Sequence, residues 1–183
     1  MHPITKWLTT NRVISKEGKT RWYSVAGNKE WVPSVTSILS AAGKGEFFDK
    51  WLANQGGWEK ACEVRDKAAK RGTIVHEISE DLLNGEEVIL DAGPEIVKRI
   101  MCLEQWYNDY KPEIIMQEIM LAFPGVRFAG RFDILARIDN KNVLIDIKTG
   151  GHYKSHDLQA TMYKILWDTI AEHEGAGSEF MVD

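Results

Sequence analysis

Asp133, Asp146 and Lys148 interrupt two apolar runs. From Phe128 the chain reads Phe-Ala-Gly-Arg-Phe-Asp-Ile-Leu-Ala-Arg-Ile, then a polar stretch from Asp139 to Asn142, then Val-Leu-Ile-Asp-Ile-Lys-Thr-Gly. Phe132, Ile134, Leu135, Leu144, Ile145 and Ile147 make both runs apolar on both faces, the pattern of covered strands. A hairpin about Asn140 would bring Asp133 opposite or diagonal to Asp146. Alternation along an extended strand puts Asp146 and Lys148 on one face. Carboxylates gathered so closely repel one another and resist burial. A hard divalent cation with oxygen ligands removes the conflict, and Mg²⁺ or Mn²⁺ fits best. The plain alternative is a surface hairpin with solvated charges, which the apolar surroundings oppose.

Other candidate groups lie on the elements around this hairpin. Ile114 to Phe123 reads as a strand interrupted by Gln117 and Glu118. With Pro124-Gly125 as the turn, Glu118 falls opposite Arg131 on the Asp133 face. It could bridge to Arg131 or reach a metal through water. Trp58 to Leu83 has the longest helical pattern and carries Gly72 and His76, four apart on one face. A glycine there suggests a close approach to the helix or a break in it. A lone helical His is more often a satisfied core or surface group than a ligand. Glu80 shares that face and reads as solvated. Gln159 and Tyr163 are again four apart, on a helix from Ser155 to His173 whose apolar side is Leu158, Met162, Ile165, Leu166 and Thr169. Arg65, Lys67, Lys70 and Arg71 form the densest basic run. It reads as a solvated helix face or as a phosphate-contacting patch.

The rest of the chain supplies the frame. Asn11 to Ser15 and Thr20 to Ala26 predict a hairpin. Ser34, after Pro33, predicts a helix start, closed at Gly43 and Gly45. Glu46 to Asn54 predicts a second short helix. Asn84-Gly85 stops the long helix, Pro94 opens another over Glu95 to Tyr110, and Lys111-Pro112 ends it. Its apolar side is Ile96, Ile100, Leu103, Trp106 and Tyr107. Gly150-Gly151 breaks the last strand, and Glu174 to Asp183 reads as a frayed tail. The expected class is α/β: a small mixed central sheet flanked by helices, after an N-terminal hairpin and helical extension over 1–56. A core over 57–175 and a tail over 176–183 complete the division.

Composition narrows the alternatives. The 183 residues are 44% hydrophobic and 27% charged, a globular balance. No apolar run approaches the roughly 20 residues of a membrane span, so no membrane role is expected. The N-terminus lacks the apolar stretch of a signal peptide. Cys62 and Cys102 match no zinc or disulfide framework, which favours a reducing, intracellular home. The net charge of −4 gives nucleic-acid binding no bulk support.

Taken together, Gly72-x-x-x-His76, Gly130-x-x-Asp133, Asp146-x-Lys148 and Gln159-x-x-x-Tyr163 resemble the RecB-type branch of the PD-(D/E)XK nuclease superfamily. The resemblance spans about Gly72 to Tyr163. Upstream, Val-Pro-Ser-Val-Thr-Ser-Ile-Leu-Ser and the tryptophan-rich helices after it are similar to phage exonucleases and the mitochondrial genome maintenance exonuclease. The resemblance implies a restriction-endonuclease-like core. It implies that His76, Asp133, Asp146 and the backbone carbonyl of Ile147 bind Mg²⁺ or Mn²⁺. Lys148 would activate the attacking water and stabilise developing charge. Gln159 and Tyr163 would position the DNA strand and support the site. Read from the residues themselves, Lys70 and Arg71 are the candidate DNA contacts, and Gly72, Glu118 and Arg131 the candidate supporting groups. The second acid is Asp146 rather than Glu, which this branch permits. The four cysteines of iron–sulfur relatives are missing, so no such cluster is expected. The implied activity is metal-dependent hydrolysis of DNA, as an exonuclease on single-stranded ends in replication, recombination or repair. A helicase or recombinase partner and the cytoplasm of a bacterial or phage-infected cell go with it. A structure-specific endonuclease on the same core, or a non-catalytic nucleic-acid-binding protein, are the rivals.

Overall fold

The computed structural model describes residues 7–8, 11–18, 20–42, 50–51, 53–88, 92–177 and 180–182. The strands are β1 Val13–Lys16, β2 Trp22–Val25, β3 Val32–Pro33, β4 Glu113–Leu121, β5 Gly130–Ile138 and β6 Lys141–Ile145. The helices are α1 Val35–Ala41, α2 Trp58–Leu83, α3 Pro94–Tyr110 and α4 Lys154–His173. They fall into two units that do not follow chain order. Residues 1–42, 113–146 and 153–183 form the first, and 43–112 with 147–152 form the second.

The first unit holds two antiparallel sheets, ordered β1-β2-β3 and β4-β5-β6. Parallel pairing enters as the isolated bridges Ser34↔Ala129 and Asn142↔Val182. The expected hairpin closes on Asp139 and Asn140, with φ of 49° and 63°. Asp and Asn tolerate that left-handed backbone, and two such residues make the turn that matches strand twist. Lys141 and Asn142, read from sequence as turn, therefore belong to β6. The second strand is shorter than expected at its other end, because its ladder stops at Ile145.

Burial follows position in the sheet. Central β5 buries Phe132, Ile134, Leu135 and Ala136, whereas edge strand β6 leaves Leu144 and Ile145 half-buried. α4 covers this sheet, but with a different face from the one its apolar residues predict. Gln159, Tyr163, Leu166, Trp167 and Ile170 point inward, while Leu158 and Ile165 are exposed. The buried set keeps helical spacing, but the polar Gln159 belongs to it. Trp167 packs edge-on to Phe132 with ring centroids 6.2 Å apart. At the start of α1, Ser34 Oγ accepts from the Ser37 amide at 3.0 Å, the expected N-cap.

Residues 180–182 correct the reading of a frayed tail. Val182 is 2% exposed and bridges Asn142 on the β6 edge. Trp167 Nε1 donates to the Phe180 carbonyl at 2.8 Å, and Lys164 donates to the Val182 carbonyl. An open strand edge exposes unmet backbone groups, and this segment covers part of it.

The second unit is helical. α2 runs unbroken through Gly72, so the glycine does not divide it. α3 opens at Pro94 and buries Ile100, and α2 buries Val75. Tyr107, placed by periodicity on the apolar side of α3, is 43% exposed. The short helix predicted over Glu46–Asn54 and its preceding Gly43 and Gly45 lie largely outside the described residues.

Candidate active site

Strand register aligns two carboxylates and ends beside a third. Ile134 pairs with Ile145 at the end of the β5–β6 ladder, so Asp133 and Asp146 are the chain neighbours of its last pair. On the other side, Gln117↔Ile134 and Ile119↔Phe132 bracket Glu118 against Asp133. A carboxylate oxygen of Glu118 lies within 4.8 Å of one of Asp133. Glu118 has φ of 50°, an uncommon value for a residue other than glycine and one that the surrounding strand must hold in place.

The expected pairing of Glu118 with Arg131 needs correction in its geometry. Met120, not Glu118, stands opposite Arg131. The connection from Ala122 to Ala129 is longer than a tight turn at Pro124-Gly125, and this slides the register. The ion pair still forms, diagonally, with Arg131 Nε 3.0 Å from Glu118 Oε2. Arg131 thus offsets one of the three negative charges.

Asp146 is held from α4. Gln159 Nε2 donates to Asp146 Oδ1 at 3.3 Å and to the Tyr163 hydroxyl at 2.9 Å. Gln159 is 7% exposed and Tyr163 3%. A buried amide between an acid and a phenol fixes the carboxylate's orientation, because moving it would break bonds that water cannot replace. Burial pushes the Tyr163 phenol well above its ordinary pKa. The hydrogen bond from Gln159 opposes that shift, while the charges of Asp146 and Asp133 add to it. Tyr163 is therefore a neutral group throughout the physiological range.

Gly130 makes this arrangement possible. A Cβ at this position would sit 2.4 Å from Tyr163 Cε1, closer than atoms can approach. The tyrosine ring occupies the space that any other residue's side chain would need. Sequence spacing gave Gly130 only as part of a motif, with no sign of what it faces.

The second unit carries the remaining candidates. His76 is half-buried on α2. Gly72 meets Thr149, whose Oγ1 would lie 3.6 Å from an added Cβ, so the close approach expected there is a side chain of the segment after Lys148. Arg71 Nη1 pairs with Glu95 Oε2 at 3.0 Å, while Lys70 is exposed. Ile147 is half-buried and Lys148 exposed. The ladder ends before Asp146, and the chain passes to the second unit at Ile147, so strand alternation does not carry Asp146 and Lys148 onto one face. Arg99 went unnoticed in the sequence. Its Nε donates to the Thr149 carbonyl at 3.0 Å and Nη1 donates to the Glu95 carbonyl at 2.7 Å, tying the segment after Lys148 to α3. No spacing rule flags a contact so distant along the chain.

These acids lie on or just beyond adjacent strands, are followed in sequence by Ile147-Lys148, and are backed by a helix that carries Gln159 and Tyr163. The sequence pattern of the PD-(D/E)XK nuclease superfamily matches residues 19–182, and the chain belongs to that superfamily. Membership makes it a nuclease with DNA as its substrate class, in a group that generally uses divalent metal ions. A comparison with curated proteins finds no match. Among the described residues no helix is long and apolar enough to cross a membrane.

Proposed function

We propose that this protein is a metal-dependent exonuclease of the RecB-type branch, acting on single-stranded DNA ends. The observation that carries the catalytic part is the Gln159–Asp146 hydrogen bond beside Asp133, an acid pair with one member locked in orientation. The donor chemistry fits Mg²⁺ or Mn²⁺, since Asp133 and Asp146 offer hard oxygens and Glu118 brings a third carboxylate offset by Arg131. The resemblance adds the Ile147 carbonyl and His76 to the ligand set. An imidazole in that set favours Mn²⁺ over Mg²⁺. A bound ion would supply hydroxide at neutral pH and offset charge on the phosphate.

The chain's own groups then have separate tasks. Asp133 and Asp146 would hold the ion, and Gln159 fixes the Asp146 carboxylate through its hydrogen bond. Lys148 orients the attacking water and stabilises developing charge. Its part in the reaction is electrostatic. Tyr163 supports Gln159 as a neutral donor and acceptor. Lys70 and Arg71 contact the DNA backbone, with Arg71 oriented by Glu95. End dependence, strand preference and a helicase or recombinase partner rest on the resemblance to phage and mitochondrial exonucleases.

End-labelled linear and circular single-stranded DNA, incubated with Mg²⁺ or Mn²⁺, tests the reading. Linear DNA should be degraded and circles spared. Asp133→Ala and Lys148→Ala should each reduce the rate by roughly 10³-fold while retaining wild-type circular dichroism. Cleavage of circles would replace the exonuclease by an endonuclease. Undiminished activity in both variants would overturn the catalytic assignment.

A further inference from the structure

The helical unit contains a cavity of about 410 Å³, lined by residues of α2, α3 and the segment that carries Lys148. Its volume falls within the roughly 300–1,000 Å³ of small-molecule sites. Its walls are of two kinds. Val75, Leu103 and Ile147 supply apolar surface, while Lys98, Arg99 and Lys148 supply cations. Among the described residues Glu95 is the one carboxylate in the lining, and Arg71 and Arg99 stand 3.0 Å and 3.7 Å from it. The cavity is therefore cationic in a chain whose net charge is −4. Arg99 also donates to the Thr149 carbonyl at 3.0 Å, so one wall is fixed to α3 by a hydrogen bond.

A ligand that matches both kinds of wall carries a compact anion joined to a flat, largely apolar body. We propose that this cavity holds one nucleotide of the substrate strand, its phosphate against Lys98 and Arg99 and its nucleoside against Val75 and Leu103. The identity of the ligand rests on the nuclease reading, while the cavity and its charge do not. Lys148 lines the same space, so the bound nucleotide adjoins a residue assigned to catalysis. The cavity has room for a single nucleotide, and this makes it a subsite for one nucleotide of the strand next to Lys148.

Cys102 also lines the cavity and is exposed, which provides a direct readout. In full-length Asp133→Ala protein with Cys62→Ser, the alkylation rate of Cys102 by N-ethylmaleimide is measured. Thymidine 5′-monophosphate, thymidine, inorganic phosphate and a short single-stranded oligonucleotide are added separately. The monophosphate should slow alkylation several-fold more than thymidine or phosphate alone, and the oligonucleotide should do so at lower concentration. Lys98→Glu should weaken protection about tenfold, the equivalent of one charge-assisted hydrogen bond. Cys102→Trp, which fills the mouth from an exposed position, should raise KM for linear DNA. Equal protection by phosphate alone, or none by the monophosphate, overturns the nucleotide assignment, whether or not the wild type degrades DNA. Protection by the monophosphate but not by the oligonucleotide overturns the strand assignment and leaves a site for free nucleotide. Failure of the nuclease reading would show separately, as undiminished cleavage by Asp133→Ala.

Discussion

Gly130→Ala is the sharpest test of how the site is held. The added methyl would lie 2.4 Å from Tyr163 Cε1 and 3.3 Å from Cδ1 and Cζ. Gly130 is not among the glycines with left-handed backbone, so alanine suits its conformation and the penalty is steric. An ordinary carbon contact lies near 3.5–4.0 Å, so the ring must retreat by roughly 1 Å. It has little room, being buried, packed on Phe132 at 6.1 Å between centroids, and bonded through its hydroxyl to Gln159. Overpacking of this kind costs about 1–3 kcal/mol. For a chain of this length that lowers Tm by roughly 2–4 °C per kcal/mol. Moving the ring also moves Gln159 and with it Asp146. A displacement near 1 Å at a catalytic group costs about 10²-fold in rate. Calorimetry and single-turnover cleavage of end-labelled DNA measure the two effects. In Gly130→Ala/Tyr163→Leu the clash is gone, so the stability losses should be less than additive, while the rate stays low. Wild-type Tm and rate in Gly130→Ala, or strictly additive losses in the pair, would refute the reasoning.

Gln159→Leu keeps the size of the side chain and removes the amide, so cleavage should fall roughly 10–100-fold, as for outer-shell partners of metal ligands; an unchanged rate would show that Asp146 needs no support. The Tyr163 phenol is raised above its ordinary value of 10.0, so the folded protein keeps a proton that the unfolded chain releases. Its contribution to stability is complete below pH 10 and declines as pH climbs toward the folded pKa. The wild type should therefore lose stability above pH 10 more steeply than Tyr163→Phe, and parallel denaturation curves from pH 9 to 11 would contradict this. Val182→Ala should lower stability by about 1–2 kcal/mol through lost apolar burial, as measured by urea denaturation. A neutral result would mean that residues 180–182 do not hold the β6 edge.

The hairpin was legible because its signals are local. Asp139 and Asn140 are residues that accept positive φ, and the runs on either side are apolar enough to be strands. That turn fixes the β5–β6 register as far as Ile134 and Ile145, the residues next to Asp133 and Asp146. Glu118 could not be placed correctly, since its register depends on the conformation of the loop from Ala122 to Ala129. The buried face of α4 was misjudged for a related reason. Periodicity ranks residues by hydrophobicity, and it set aside Gln159, whose burial depends on Asp146 and Tyr163.

Sequence alone determined the residue types and their order: two acids and a lysine on or just beyond a hairpin, a histidine on one helix, a glutamine and a tyrosine on another. Those are properties of composition and short-range spacing, which local backbone preferences translate directly. Only the tertiary structure decided that Gly130 makes room for Tyr163, that Arg99 ties down the segment after Lys148, and that residues 180–182 close a strand edge. Each is a contact between distant parts of the chain, chosen by shape and by the need to satisfy buried polar groups, and no local pattern encodes such a choice.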